Sequence, residues 1–417
     1  MSEVRAELRS LRVTLESQQR TIEALEARLA RCSEPQPAEP VLTTSPFTPE
    51  SARLRYQSAD GETTAELGGY AQLDYRGYRT GAHLPSTFLI RRARTGIEGR
   101  LDRNFDYAIL ADFADTNGTI LRDFRVRFSR YPAAQITVGQ FKAPFSQEEL
   151  RADIAQDFAE RSMANTVAPS RSPGVMLSGE IAGGRATYEI GAFNGKGLLA
   201  NNTVSTPESV LRLRFSPWSR TDGSRLQQLS FGGALARGRN AIGANGVRGQ
   251  SESRSPSFYD PDKVGGPLTR RNVEATWLSG ALAIRGEYDL LEQAREGVGP
   301  GGTNLTSITA RGLTAQVTYL LTGESKPDSK PVSPLHAFPG GLGAWELKAR
   351  YARLRLDGEA SKSNGARSFT SGVNWYPNSY LAWLLDVGME RLDDPFLAVG
   401  SSSRDSFVIL SRIQLAF

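Results

Sequence analysis

Charged residues recur at every second position along much of this chain. Arg92 and Arg94 stand either side of Ala93, and Asp123, Arg125 and Arg127 alternate with Phe124 and Val126. Residues two apart share one face of a strand, so this spacing builds charged faces. Covalent catalysis would need a nucleophile and a base within hydrogen-bond reach. The histidines, His83 and His336, fall in connecting segments beside Pro and Gly, and no strand offers a Ser-His or Asp-His pair. His-based catalysis is therefore not expected, and the chain does not read as an enzyme. Cys32 is the sole cysteine, which leaves no disulfide or metal motif. Asp112, Asp115 and Asp123 lack the loop spacing of a cation site and read as solvated acids; no metal or cofactor is implied. Fixed charges can still select solutes by sign without any covalent step. They can also pair across neighbouring strands, Arg94 with Asp112 or Asp123 with Arg92, and one residue can serve both ends.

The elements that carry these charges are strands. Ala71, Leu73 and Tyr75 alternate with Gln72, Asp74 and Arg76. Leu89, Ala93, Ile97 and Leu101 share one face of the next strand, opposite Arg92, Arg94, Glu98 and Arg100. Phe105, Tyr107 and Ile109 are set against Asp106 and Asp112, and Phe124, Val126 and Phe128 against Asp123, Arg125 and Arg127. Continuing to residue 417 gives about sixteen strands. On this pattern Arg91 falls on the apolar face, which places it at a rim, a subunit contact or a bulge, because a midplane arginine facing lipid costs ~2–4 kcal/mol. Hydrophobic content is 39%, and no apolar run approaches the eighteen or so residues of a membrane helix. A soluble sandwich would alternate equally well. The last strand favours a membrane barrel: Phe407, Ile409, Ile413, Leu415 and Phe417 share one face. The net charge of +5 is spread along strands and matched by acids, which argues against nucleic acid as a partner.

One stretch breaks the alternation. After Val138-Gly139-Gln140-Phe141, Lys142 and Pro144 lead into about thirty residues without period two. Ser146 and Glu149 form a capping box, and Leu150, Ile154 and Phe158 recur at helical spacing. A long insert in a β-meander is usually functional or disordered; here it reads as a loop folded into the barrel to narrow a pore. Glu148, Glu149, Arg151, Glu160, Arg161 and Arg171 would place charge at that constriction. Short turns alternate with longer loops along the chain, as in outer-membrane barrels with a periplasmic and an external rim. Gly323 to Gly343 departs from this: it falls on the short-turn rim yet carries Pro327, Pro331, Pro334 and Pro339. It would project outward or cover the mouth.

Residues 1–32 repeat apolar positions in heptads. Leu8, Leu15, Ile22 and Leu29 alternate with Val4, Leu11, Gln18 and Leu25, a pattern for helix association over roughly 45 Å at ~1.5 Å per residue. The oligomer number does not follow from these residues. Five prolines make residues 33–50 an extended linker, and the barrel domain would occupy 51–417. No secretory leader precedes the heptads, so an exported protein would be represented here in processed form. With an even strand number the coiled coil would hang into the periplasm.

Five segments in order resemble one family. They are Phe88-Leu89-Ile90-Arg91-Arg92-Ala93-Arg94, Val138 to Phe145, Glu160-Arg161-Ser162, Leu321-Thr322-Gly323-Glu324 and Ala344-Trp345-Glu346-Leu347. Together they are similar to the phosphate-selective porin O/P family. The resemblance implies a sixteen-stranded homotrimeric porin in the outer-membrane lipid, with its third loop folded inward. Arg91 and Arg92 match the family's arginine pair. The loop from Leu150 to Ala159 has Arg151 but no lysine where some members carry a lysine cluster. The function expected is passive diffusion of small hydrophilic solutes, modestly favouring anions. The alternative is an envelope tether, its coiled coil gripping cell wall or a partner and its barrel serving as anchor.

Overall fold

The computed structural model describes residues 54–79, 85–115, 118, 120–254, 257–359, 362–397 and 403–417. The heptad segment, the proline-rich linker and His83 lie outside the described residues. Nineteen strands are present among them. They are β1 Leu54–Gln57, β2 Thr64–Arg79, β3 Thr87–Leu101, β4 Phe105–Asp112, β5 Leu121–Tyr131, β6 Ala134–Lys142, β7 Arg171–Ile181, β8 Ala186–Phe193, β9 Glu208–Phe215 and β10 Gln228–Asn245. There follow β11 Gly249–Gln250, β12 Ser257–Tyr259, β13 Lys263–Ser279, β14 Leu282–Arg295, β15 Leu305–Leu320, β16 Ala344–Asp357, β17 Asn364–Tyr376, β18 Leu381–Leu392 and β19 Asp405–Ala416.

Sixteen strands, β2–β10 and β13–β19, pair antiparallel with their sequence neighbours, and β19 pairs back onto β2 to close a barrel. Closure removes both sheet edges, which is what allows strands to cross a bilayer. β1 extends the sheet at the start of β2, Leu54 opposite Leu67, and β11 and β12 form a separate small hairpin. The alternation read from sequence appears as two faces. Leu73, Phe124, Ile136, Leu347, Phe369 and Ile413 are exposed on the outside, while Gln72, Asp123, Lys348 and Arg412 are buried within.

The second expected strand needs one correction. Gln72 pairs with Arg92 and Leu73 with Ile90, so Arg91 is an extra residue in β3. A bulge of this kind reverses the facing of everything beyond it. Phe88 and Ile90 therefore lie outside, 72% and 63% exposed, and Leu89 does not share the face of Ala93. Arg91 and Arg92 can both reach inward. On β6, Gly139 has φ +127°, and a Cβ there would meet the Phe124 carbonyl at 2.0 Å; only glycine lets β5 approach so closely.

Part of the lumen wall is apolar. Leu268, Leu291, Ile308, Leu354, Leu356 and Leu392 point inward and pack with Met163, Val167, Phe258 and Tyr259. The alternating pattern tells the two faces apart, but not which of them is wet.

Candidate functional site

Residues 143–170 run into the lumen. Ser146 caps helix α1, Gln147–Leu150, accepting from the Glu149 N–H at 3.1 Å. The helix stops after one turn, because Arg151 and Ala152 are extended. Leu150, Ile154 and Phe158 therefore do not continue it, despite their spacing. The wall supplies partners for N–H groups that have none within the insert. Carboxylates of Glu274, Glu287 and Asp386 accept from the backbone N–H groups of Gln147 at 2.9 Å, Glu148 at 3.2 Å and Ala159 at 2.7 Å. Lys142 Nζ donates to the carbonyls of Glu149 at 2.5 Å and Arg151 at 2.9 Å, closing the helix C-terminus. A short 3-10 turn, Met163–Val167, sits on small wall residues: a Cβ added at Gly312 would meet the Ala164 methyl at 2.9 Å, and Ala310 and Ala352 are fully buried beside it.

The expected constriction charges are nearly all committed to one another. Glu160 accepts from Arg91 at 2.5 Å, Arg76 at 2.6 Å and Arg412 at 3.4 Å. Burial pushes its pKa up, but Arg91, Arg412 and Arg254 outweigh this and hold it well below the usual carboxylate range. Asp153 binds Arg94, Arg161 at 2.8 Å and Arg92 at 3.3 Å. Its burial is likewise overcome, by Arg92, Arg161 and Arg94. Arg94 also meets Asp112 at 2.8 Å, but Arg92 does not pair with Asp123: the insert brings Asp153 to Arg92, and Asp123 binds Arg171 at 2.9 Å. Arg127 pairs with Asp106 at 2.7 Å. Glu149 meets Arg161 at 3.3 Å, and Glu148 accepts from Ser162 at 2.5 Å and faces Arg350 at 3.5 Å. Arg125 has no ion-pair partner within 4 Å among the described residues.

A second segment enters from the short-turn rim. Between β15 and β16, Lys326 donates to Asp157 at 2.7 Å and Glu346 at 2.5 Å. The Asp328 carbonyl accepts from Arg151 at 3.1 Å, and its carboxylate meets Arg214 at 3.2 Å. Asp157 also binds Arg151 at 2.9 Å and Arg285 at 3.0 Å. The two segments, arriving from opposite rims, thus share one carboxylate.

A family model described as "Phosphate-selective porin O and P" matches residues 65–417. The chain belongs to this family. It is 23% identical over 411 positions to "Porin O" of Pseudomonas aeruginosa, covering 87% of this chain and 91% of that protein. Its fold is similar to that of OmpT, an outer membrane protein of Vibrio cholerae, with a TM-score of 0.56 at 11% identity over 85% of this chain and 98% of the other. It is also similar to an anion-selective porin from Comamonas acidovorans, with a TM-score of 0.54 at 14% identity over 85% and 100%. The protein is an outer-membrane channel porin, and the tether reading is not favoured. The family and its structural neighbours are channels rather than enzymes.

Sequence reasoning missed a second inserted loop in this porin. Between β10 and β13, Glu252 accepts from Arg350 at 2.8 Å and Ser368 at 2.7 Å, while Ser253 donates to Glu390 at 2.9 Å. Phe258 and Tyr259 pack beneath them against Leu354 and Leu356. The segment is rich in serine and charge and resembles a solvated loop; Val247 and the adjacent Phe258-Tyr259 are its apolar signals. Glu274, Glu287 and Asp386, which anchor the first insert, carry no local sequence signal that sets them apart from other strand acids.

Proposed function

We propose that this porin passes small hydrophilic solutes by passive diffusion with a modest preference for anions, and works as a homotrimer. The uncommitted Arg125 carries the selectivity reading. On the wall from β3 to the start of β7, with the facing insert, eleven cations meet ten carboxylates. The cations are Arg91, Arg92, Arg94, Arg100, Arg122, Arg125, Arg127, Lys142, Arg151, Arg161 and Arg171; the carboxylates are Glu98, Asp106, Asp112, Asp115, Asp123, Glu148, Glu149, Asp153, Asp157 and Glu160. Lys142 is held by carbonyl groups of the insert. In a narrow passage a small surplus raises the local anion concentration. The Comamonas relative, described as anion-selective, supports the same sign. Arg151 is taken up by Asp157, and no lysine lies between Leu150 and Ala159, so tight phosphate binding is not part of this reading. A trimeric form of the Vibrio neighbour supports the assembly, and the heptads of residues 1–32 would reinforce it from the periplasm.

Reversal potential in a potassium chloride gradient across a planar bilayer tests the selectivity. Anion preference is expected at low salt. It should fade as ionic strength rises, since the Debye length is only ~10 Å at 0.1 M. A channel that is cation-selective at low salt would overturn the reading.

A further inference from the structure

The outer surface of β15–β18 carries arginines where a barrel facing lipid should carry apolar residues. Arg353 on β16 stands directly opposite Arg367 on β17, which stands opposite Arg391 on β18. One step nearer the long-loop rim, Arg311 on β15 stands opposite Arg355 on β16. All five are exposed. Like charges directly opposite across strands destabilise a sheet, and here they occur three times in adjoining pairs.

The neighbouring acids do not remove the cost. Asp357 lies 2.5 Å from Arg311 and 2.8 Å from Arg355, and Asp405 lies 2.5 Å from Arg391. Asp393 is 3.9 Å from Arg353 and 3.6 Å from Arg355. Five guanidinium groups therefore share three carboxylates, and Arg367, in the centre of the row, has none within 4 Å among the described residues. The pattern also inverts across the wall. Arg353 and Arg355 alternate with Ala352, Leu354 and Leu356, which are fully buried on the lumen side. Immediately toward the midplane, Tyr351, Phe369 and Met389 are exposed and apolar. The arginines thus sit where the hydrocarbon band gives way to headgroups at the long-loop rim.

We propose that this row binds the phosphate groups of an anionic glycolipid in the membrane leaflet at that rim. The residue type supports a phosphate ligand, because guanidinium forks match phosphate oxygens two at a time and no lysine shares the row. The apolar band below receives the acyl chains of the same molecule.

Native mass spectrometry of the full chain in mild detergent tests this, with a bis-phosphorylated acyl disaccharide and its dephosphorylated form as probes. Wild type should retain the phosphorylated form about tenfold better, a factor that one charge-assisted contact can supply. R353Q/R367Q/R391Q should lose that preference. R100Q/R103Q/R130Q, which removes three exposed arginines at the opposite rim, should keep it, and R353K/R367K/R391K should fall between. Should the triple glutamine variant fail to fold, wild type with the two lipids and R367Q alone carry the same comparison. Equal retention of the two lipids by wild type, or undiminished preference in R353Q/R367Q/R391Q or R367Q, would overturn the proposal. So would saturation of the row by inorganic phosphate without lipid, or a mass increase showing that the row joins two copies.

Discussion

Replacing Asp157 by Asn tests whether the two segments inside the lumen hold each other. Asp157 is 1% exposed on its side chain and accepts from Arg151, Arg285 and Lys326 at 2.7–3.0 Å. The amide keeps the shape but removes the charge, leaving three buried cations to share Glu346 and Asp328. Breaking a buried pair in this way costs about 3–5 kcal/mol. Expressed wholly in docking, that shifts the docked-to-free ratio by about two to four powers of ten. The barrel itself should persist, since its strand pairing is untouched. Single-channel recording should therefore show larger conductance steps in D157N, and limited proteolysis should cut between residues 323 and 343 more readily. Unchanged conductance together with unchanged cutting would refute the shared-carboxylate clamp. The sign with pH follows from the same contacts. Burial raises the Asp157 pKa, but Arg151, Lys326 and Arg285 hold it well below the usual range. A carboxylate depressed on folding contributes stability that is complete above its unfolded value near 4 and lost as pH falls through the folded value. The Asp157 clamp should accordingly hold from roughly pH 8 to about pH 5, with protease cutting between residues 323 and 343 no faster at the lower pH.

Three further outcomes are expected. R125Q should shift the reversal potential toward cations at low salt without enlarging the conductance step, because Arg125 holds no ion-pair partner within 4 Å among the described residues; an unmoved potential would remove it from the conduction path. Phe258→Ala empties a fully buried site at a cost of about 3–5 kcal/mol, so protease should reach residues 246–262 at a temperature where the barrel still resists. Deleting residues 1–32 should lower the thermal resistance of the oligomer in detergent and leave a folded barrel, measured by gel mobility and circular dichroism.

Strand positions were legible because a bilayer enforces period two on every strand. Even so, the outward apolar face of β3 could not be followed through residue 91 by counting. A bulge changes parity without changing composition, and only the cost of Arg91 in lipid hinted at it. The insert was legible as an interruption, but not its shape. Its apolar spacing fits a helix, whereas its N–H groups find Glu274, Glu287 and Asp386 on distant strands. No local pattern encodes those partners. The pairing of Asp123 failed for the same reason: strand-to-strand reasoning cannot anticipate that a loop delivers Asp153 to Arg92. The loop before β13 stayed hidden because its polar side chains are satisfied by a charged wall, so its composition resembles that of a solvated segment.

The seat beneath the 3-10 turn has a consequence for how such channels diverge. Gly312 leaves only enough room for Ala164 to rest against β15, and Ala310 and Ala352 pack in one cluster with Met163 and Val167. Enlarging any of the three wall residues would lift the insert off its wall, so insert and seat must drift together through their descendants. A graft of this loop onto a barrel with bulky residues at those three places would carry the sequence across but lose its placement. The bore is therefore inherited as a pair of surfaces on distant stretches of chain, and its lineage can be traced in the small residues of the wall as much as in the loop.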